Sequence, residues 1–179
     1  MKKKRILALF LAAVSCLSLA VSASAANTPN RKATDFRDFD RSAWYAEAVS
    51  AAVDNGLLYG KSSSIIDPNG DMTRAEMAAI INRSFGCYAK ADISKYKDVS
   101  KDKWYFEDVA MAVQMGTYNG RSNTAMAPDA PITRQEAMTV VARALELDYD
   151  AYAKTDLSAF SDRSEISNWA MPYVRAMVG

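Results

Sequence analysis

Histidine is missing altogether, and cysteine occurs only at Cys16 and Cys87. Without histidine there is no serine–histidine or cysteine–histidine nucleophile system, and the commonest zinc sites go with it. Cys16 lies in a leader described below, so a single thiol remains afterwards and no intramolecular disulfide can form, even in an oxidising compartment. An excess of charge of one sign is lacking too: 22 Lys and Arg stand against 21 Asp and Glu, a net +1. That balance leaves no electrostatic footprint for nucleic acid. Apolar residues run on without interruption only at the amino end.

That run identifies itself by its flanks. Lys2, Lys3, Lys4 and Arg5 precede an apolar stretch from Ile6 to about Ala20, and Ala23-Ser24-Ala25 forms a small-x-small cleavage site. The arrangement is a secretory signal peptide, residues 1–25, cut after Ala25. Its apolar core falls short of the ~20 residues of a bilayer span, so no membrane attachment is expected after cleavage. Ala13-Val14-Ser15 before Cys16 matches the lipoprotein pattern poorly. Cleavage removes four basic and no acidic residues, which turns the net charge from +1 to −3. Residues 26–35 read as a polar linker, and the remainder is long enough for one compact domain.

What the chain does have is internal repetition. Residues 36–85 and 96–145 align without a gap at an offset of sixty, with 15 of 50 positions identical. The identities include Asp38, Trp44, Tyr45, Gly56, Gly60, Pro68, Thr73, Arg74, Glu76 and Arg83, each matched sixty residues later. A third copy starts at Phe160, with Trp169 answering Trp44 and Trp104, and Val174 answering Val49 and Val109. The division is therefore 36–95, 96–159 and a partial third copy, 160–179, which is expected to stop inside its first helix, as in a fragment or a truncated product.

Each copy reads as two helices, and the fold class as all-α. Ser42, Asp102 and Ser167, two residues before each tryptophan, are good N-cap types. Gly56 and Gly116 end the first helix. A loop rich in Gly, Ser, Pro and Asn follows, and the second helix opens at Thr73-Arg74-Ala75-Glu76 or Thr133-Arg134-Gln135-Glu136. Both tetrads fit the capping box, in which Thr73 or Thr133 bonds the third backbone N–H and Glu76 or Glu136 reaches back. Met77, Ile80, Ile81 and Phe85 are expected to form the buried stripe, mirrored by Ala137, Val140, Val141 and Leu145. A lone unit of this size buries too little, so the copies should pack on one another. Asp67-Pro68-Asn69-Gly70-Asp71 has the look of a calcium loop, but its glycine is at the fourth position and the twelfth residue, Ala78, is no carboxylate. No metal or cofactor is expected.

Asp38-Phe39, Trp44-Tyr45, Ala48-Val49, Gly56-Leu57, Gly60, Pro68 and Thr73-Arg74-Ala75-Glu76, in that order and spacing, closely resemble the S-layer homology repeat. The resemblance covers nearly all of the chain after the leader. It implies tandem helix–loop–helix repeats packed as a pseudo-threefold helical domain, here with an incomplete third repeat. It also implies non-covalent anchoring of an exported protein to the cell wall. The implied partner is a secondary cell-wall polysaccharide, often bearing ketal-linked pyruvate, bound in grooves between repeats. The arginine of the Thr-Arg-x-Glu box is a main ligand contact in that pattern and maps onto Arg74 and Arg134. A helix N-terminus favours an anion, which suits that role.

Trp44, Trp104 and Trp169 are candidate sugar contacts, with a core role as the alternative. Gly60 and Gly120 let loop backbone approach a ligand, though a plain turn explains them equally well. In copy two, Thr117-Tyr118 and Ala125-Met126 depart from the repeat pattern, and a looser groove is expected there. Nothing in the sequence suggests paired catalytic carboxylates or a nucleophile, so the chain is expected not to be an enzyme. Two larger settings stay open: the anchor of a longer cell-surface hydrolase, or that of a structural S-layer subunit.

Overall fold

The computed structural model describes residues 31–179, which fold as five α-helices with no strand among the described residues. The leader and the first half of the linker lie outside them. Two compact units divide at Pro68 and Asn69.

In the first unit a 3-10 turn, Ala33–Asp35, precedes helix α1, Ala46–Asp54. Ala33, Phe36, Val53 and Ile66 form its core, with Phe39, Val49 and Leu58 packed against it. Helix α1 ends in a Schellman motif: Leu57 N donates to Ala52 O (2.8 Å) and Gly56 N to Val53 O (2.9 Å), with Gly56 at φ 67°. Gly60 is forced for a different reason. At φ 84° its Cβ would fall 2.5 Å from a Phe36 ring carbon and 2.6 Å from Ile65 O.

The second unit holds α2 (Arg74–Phe85), α3 (Phe106–Gln114), α4 (Arg134–Ala144), a 3-10 turn (Arg163–Glu165) and α5 (Met171–Val178). Helix α2 packs on α3, and α4 on α5. The packing pairs are therefore out of step with the sequence copies, since the second helix of one copy lies on the first helix of the next. Helices of eight or nine residues are marginal alone and take their stability from such contact. Small residues permit the close approach: Ala75, Ala78, Ala110 and Ala112 are buried together with Ile81, Tyr105, Val109, Tyr118 and Met126.

Two local expectations are corrected. The first helices do not start at Ser42, Asp102 and Ser167; their N-caps are Tyr45, Tyr105 and Ala170, none with a side-chain cap bond. The polar residues stabilise the preceding turn instead, as where Ser42 N and Oγ both donate to Asp40 Oδ1. The buried stripe of α2 is also different. Ala75, Ala78, Ala79, Ile81 and Asn82 are buried, whereas Met77 and Ile80 are half-buried and Phe85 is exposed. In α4 the buried set is Thr139, Val140, Ala142 and Ala144, while Leu145 is exposed.

An aspartate that opens each full copy clasps the end of that copy's loop. Asp98 accepts hydrogen bonds from Met126 N (2.9 Å) and Ala127 N (2.7 Å), and Asp38 does the same for Ile66 N and Asp67 N. Both clasps hold a non-glycine residue in the left-handed region, Ala127 at φ 54° and Asp67 at φ 57°. The Asp38 carboxyl lies below its ordinary range because of the Ile66 N–H bond, with desolvation opposing and the Asp67 N–H assisting. Its contribution is therefore present above the ordinary carboxyl range and lost as pH falls through the lowered value. Asp98→Ala should lower the unfolding free energy by about 1.5–3 kcal/mol. Adding Ala127→Gly, which removes a left-handed penalty of about 1–2 kcal/mol, should recover part of it. Urea denaturation of the three chains checks this; an unchanged midpoint in Asp98→Ala would show that the clasp does not hold the loop.

Candidate functional site

The site grows out of the amino end of α2. Thr73 Oγ1 accepts from Glu76 N (3.2 Å) and Glu76 Oε2 accepts from Thr73 N (2.8 Å), the reciprocal box read in the sequence. The next two donors are also taken: Arg74 N bonds Ala130 O (3.0 Å) and Ala75 N bonds Pro128 O (2.9 Å). This overturns the expectation that the α2 N-terminus offers an anion its unpaired N–H groups. Loop carbonyls of copy two already fill that place.

Arg74 is likewise turned inward, only 5 % exposed. Its Nε donates to Met126 O (3.0 Å), its Nη1 to Glu136 Oε1 (2.9 Å), and its guanidinium lies 5.1 Å from the centre of the Tyr118 ring. Tyr118 closes the circuit by donating its hydroxyl to Arg74 O (3.0 Å). Burial pushes the Arg74 pKa down, and Glu136 pulls it back. Burial also pushes the Tyr118 hydroxyl well up.

Glu136 serves three partners at once. Oε2 accepts from Thr133 N (2.9 Å) as the second capping box, Oε1 accepts from Arg74, and Arg121 adds Nε to Oε1 and Nη2 to Oε2, each at 3.2 Å. Burial alone would raise its pKa. The Thr133 N–H, Arg121 and Arg74 outweigh that, and the carboxyl sits below its ordinary range.

Above this pair opens a groove of about 460 Å³ lined by Arg74, Tyr118, Gly120, Arg121, Glu136, Arg143 and Trp169, among others. Arg143 donates to Thr117 O (3.3 Å) and Tyr173 Oη (3.2 Å) and lies 4.8 Å from the centre of the Tyr173 ring. Three guanidinium groups thus line the groove beside one carboxylate, a formal surplus of two positive charges, and Trp169 in its lining is half exposed (51 %). The arrangement suits an anionic ligand with an apolar face.

Of the residues singled out in the sequence, Arg74, Gly120, Glu136 and Trp169 come together here. Arg134 does not: it is exposed at the start of α4 and lines no part of this groove. Gly60 and Trp44 belong to the first unit, and Trp104 lies outside the groove. The tryptophans are not core anchors, since Trp44 and Trp104 are 92 % and 60 % exposed; it is the residues after them, Tyr105 and Ala170, that are buried. Gly120 is fixed by packing, because a Cβ there would fall 2.7 Å from a Tyr96 ring carbon and 2.8 Å from Ser122 O. The groove floor is not loose either, for Thr117, Tyr118 and Met126 are all buried. Arg121 and Arg143 were not foreseen. The identity of Arg83 with Arg143 and the cation after each glycine, Lys61 and Arg121, were the available signals.

A helical repeat module with a cationic groove between successive copies is the class that the fold and the site define. The family model for the S-layer homology domain matches residues 35–78 and 95–138, and the chain belongs to that family. It is 34 % identical over 170 residues to a surface-layer 125 kDa protein of Lysinibacillus sphaericus, covering 94 % of this chain and 14 % of that protein. It is 26 % identical over 175 residues to an endoglucanase of Bacillus sp. (strain KSM-635), covering 96 % and 18 %. An amylopullulanase of Thermoanaerobacterium thermosulfurigenes matches at 28 % over 129 residues, 71 % of this chain and 7 % of that enzyme. The chain thus spans less than a fifth of these curated relatives. S-layer homology domains anchor surface proteins to the cell wall, and this is a secreted, cell-surface protein held there.

Glu136→Gln keeps a capping side chain but removes the counter-charge of Arg74 and Arg121. The unfolding free energy at pH 7 should fall by about 1.5–3 kcal/mol. Because the Glu136 carboxyl is lowered in the fold, the difference from wild type should be full above the ordinary carboxyl range and vanish as the pH falls through the lowered value. Denaturant midpoints at several pH values check both points; a pH-independent difference would mean that the charge is not what matters.

Proposed function

We propose that the groove over Arg74 grips an acidic secondary cell-wall polysaccharide, with the carboxylate of a ketal-linked pyruvate as its charged handle. The observation that supports this reading is the three-arginine, one-carboxylate groove with Trp169 at its edge. Arg121, the outermost cation, holds Glu136 through Nε and Nη2 and leaves Nη1 for a ligand carboxylate, and Arg143 extends the positive field towards α5. Arg74 forms the base, where its Nη2 meets only the thioether of Met126, a weak acceptor at 3.9 Å. The indole offers its apolar surface to one face of a sugar ring. Arg134, at the equivalent position of copy two, is exposed and lies outside this groove, so a ligand contact there would be separate from it. Relatives of both structural and hydrolytic kinds match over this stretch, so the module carries whatever it is joined to.

Titration calorimetry with purified wall polysaccharide tests the proposal. Arg121→Ala and Arg143→Ala should each weaken binding about 10- to 100-fold, from a charge-assisted bond of roughly 1.5–3 kcal/mol at ~1.4 kcal/mol per tenfold. Arg121→Lys should recover part of the loss, since it keeps the charge without the fork. Chemical removal of pyruvate from the polymer should reproduce the weakening. Unchanged affinity in Arg121→Ala plus Arg143→Ala, with helicity intact, would refute the assignment.

A further inference from the structure

A second cavity, of about 470 Å³, lies where the connector 154–158 meets the 3-10 turn and α5. Lys154, Arg163 and Arg175 line it, and it shares no lining residue with the groove over Arg74. Its meaning comes from comparing copy three with copy two. Asp92-Ile93-Ser94 and Asp156-Leu157-Ser158 are equivalent: Ile93 and Leu157 are buried, and each aspartate Oδ1 accepts from the serine N two residues on. Lys90 and Lys154 then correspond.

In copy two, Lys90 is neutralised by an ion pair with Glu107, three residues after Trp104. Three residues after Trp169 stands Pro172, which has no charge to give. Six residues after each tryptophan, buried Ala110 is replaced by Arg175, and after the aspartate that opens each copy, Asp98 or Asp162, Val99 is replaced by Arg163. Relative to the same place in copy two, the third copy keeps the lysine, gains two arginines and loses the carboxylate, a rise of three in formal charge. The single carboxylate in the lining, Asp156, has both oxygens engaged by Ser158, N on Oδ1 and Oγ on Oδ2, each at 2.8 Å. Among the described residues none of the three cations is in an ion pair. Arg175 donates Nη1 to Ala153 O, while its Nε is buried with no hydrogen-bond partner. A buried N–H left unmatched is uncommon and calls for a partner such as a water or an anion.

We propose that this cavity is a second anion site and that its ligand is a phosphoryl group. The donors come from three separate elements, the connector, the 3-10 turn and α5, and the formal surplus is two positive charges. That surrounds a tetrahedral oxyanion rather than matching the flat fork of one carboxylate. The phosphoryl group could be a phosphodiester in a wall polymer or a free phosphate, and the two are separable by experiment.

Amide NMR titrations of the full chain at low salt, with inorganic phosphate, with bis-glycerol phosphodiester and with acetate, test the proposal. Saturable shifts at residues 154–158 and 175 are expected for a phosphoryl ligand, at least about tenfold tighter than for acetate, since each charged contact is worth about that factor. Preference for the diester identifies a polymer backbone as the source, and preference for inorganic phosphate a free or terminal group. Pro172→Glu restores the carboxylate of copy two at an early helix position, where an acid is well tolerated, and should weaken binding at least tenfold. Lys154→Gln plus Arg163→Gln, both exposed positions, should do the same without loss of helicity. Equal binding of acetate would overturn the phosphoryl assignment. Shifts that do not saturate, or Pro172→Glu binding as well as wild type, would overturn the site. Polysaccharide binding at Arg121 stays unchanged in Pro172→Glu, so this proposal and the groove reading can fail separately.

Discussion

Burying a guanidinium costs several kcal/mol unless its charge and its N–H groups are matched, and the second unit is assembled around the solution to that cost at Arg74. The residue is fixed from both ends: its backbone N by Ala130 O, its side chain by Met126 O and Glu136, its own carbonyl by the Tyr118 hydroxyl. Every one of those partners comes from copy two. Glu136 can fill the role because the Thr133 capping box already holds its carboxylate in place. One sequence box, used twice, thus caps two helices and joins them.

The same contact explains why the packing pairs run out of step with the sequence copies. A nine-residue first helix has a single face to bury, and the helix it covers is the second one of the preceding copy, as α3 covers α2. Asn82 joins the pair by donating to Asp108 O (2.8 Å). In such an array each copy supplies half of two interfaces, so stability is a property of neighbours rather than of copies. The aspartate clasp acts within the copy instead. It pins the loop end at Met126 and Ala127, and so sets the carbonyl that Arg74 binds.

Much of the fold was legible because it rests on local rules. The capping boxes at Thr73 and Thr133 and the glycine ends at Gly56 and Gly116 need only a few adjacent residues, and all stand as read. The starts of the first helices were misplaced because Ser42 and Ser167 have other partners: Asp40 for the first, and for the second Gln135, whose Oε1 accepts from Ser167 N at 2.9 Å. Hydropathy pointed to Met77 and Phe85 for the core, but the close approach of helices selected alanines instead. The groove was only half legible. Arg74 and Arg134 hold the same place in the Thr-Arg-x-Glu box and differ wholly in surroundings, since the neighbours that bury Arg74 belong to the next copy.

That last point separates two kinds of information in a repeat protein. Many residues shared by the copies serve the fold, as the capping boxes at Thr73 and Thr133 do, and in the second unit a groove lies where a helix of one copy meets a loop of the next. Its chemistry is then written jointly by two copies, as Arg74 with Arg121 and Arg143 shows. Residues that break the repeat carry the complementary message. Glu107 giving way to Pro172, Ala110 to Arg175 and Val99 to Arg163 bring nothing the fold requires, because copy two attains the same connector geometry without them. Three such departures share one electrostatic sign, and the two arginines among them line one cavity, which concentrates charge against its own repulsion. Under the proposal of a second anion site, a bound anion offsets that repulsion.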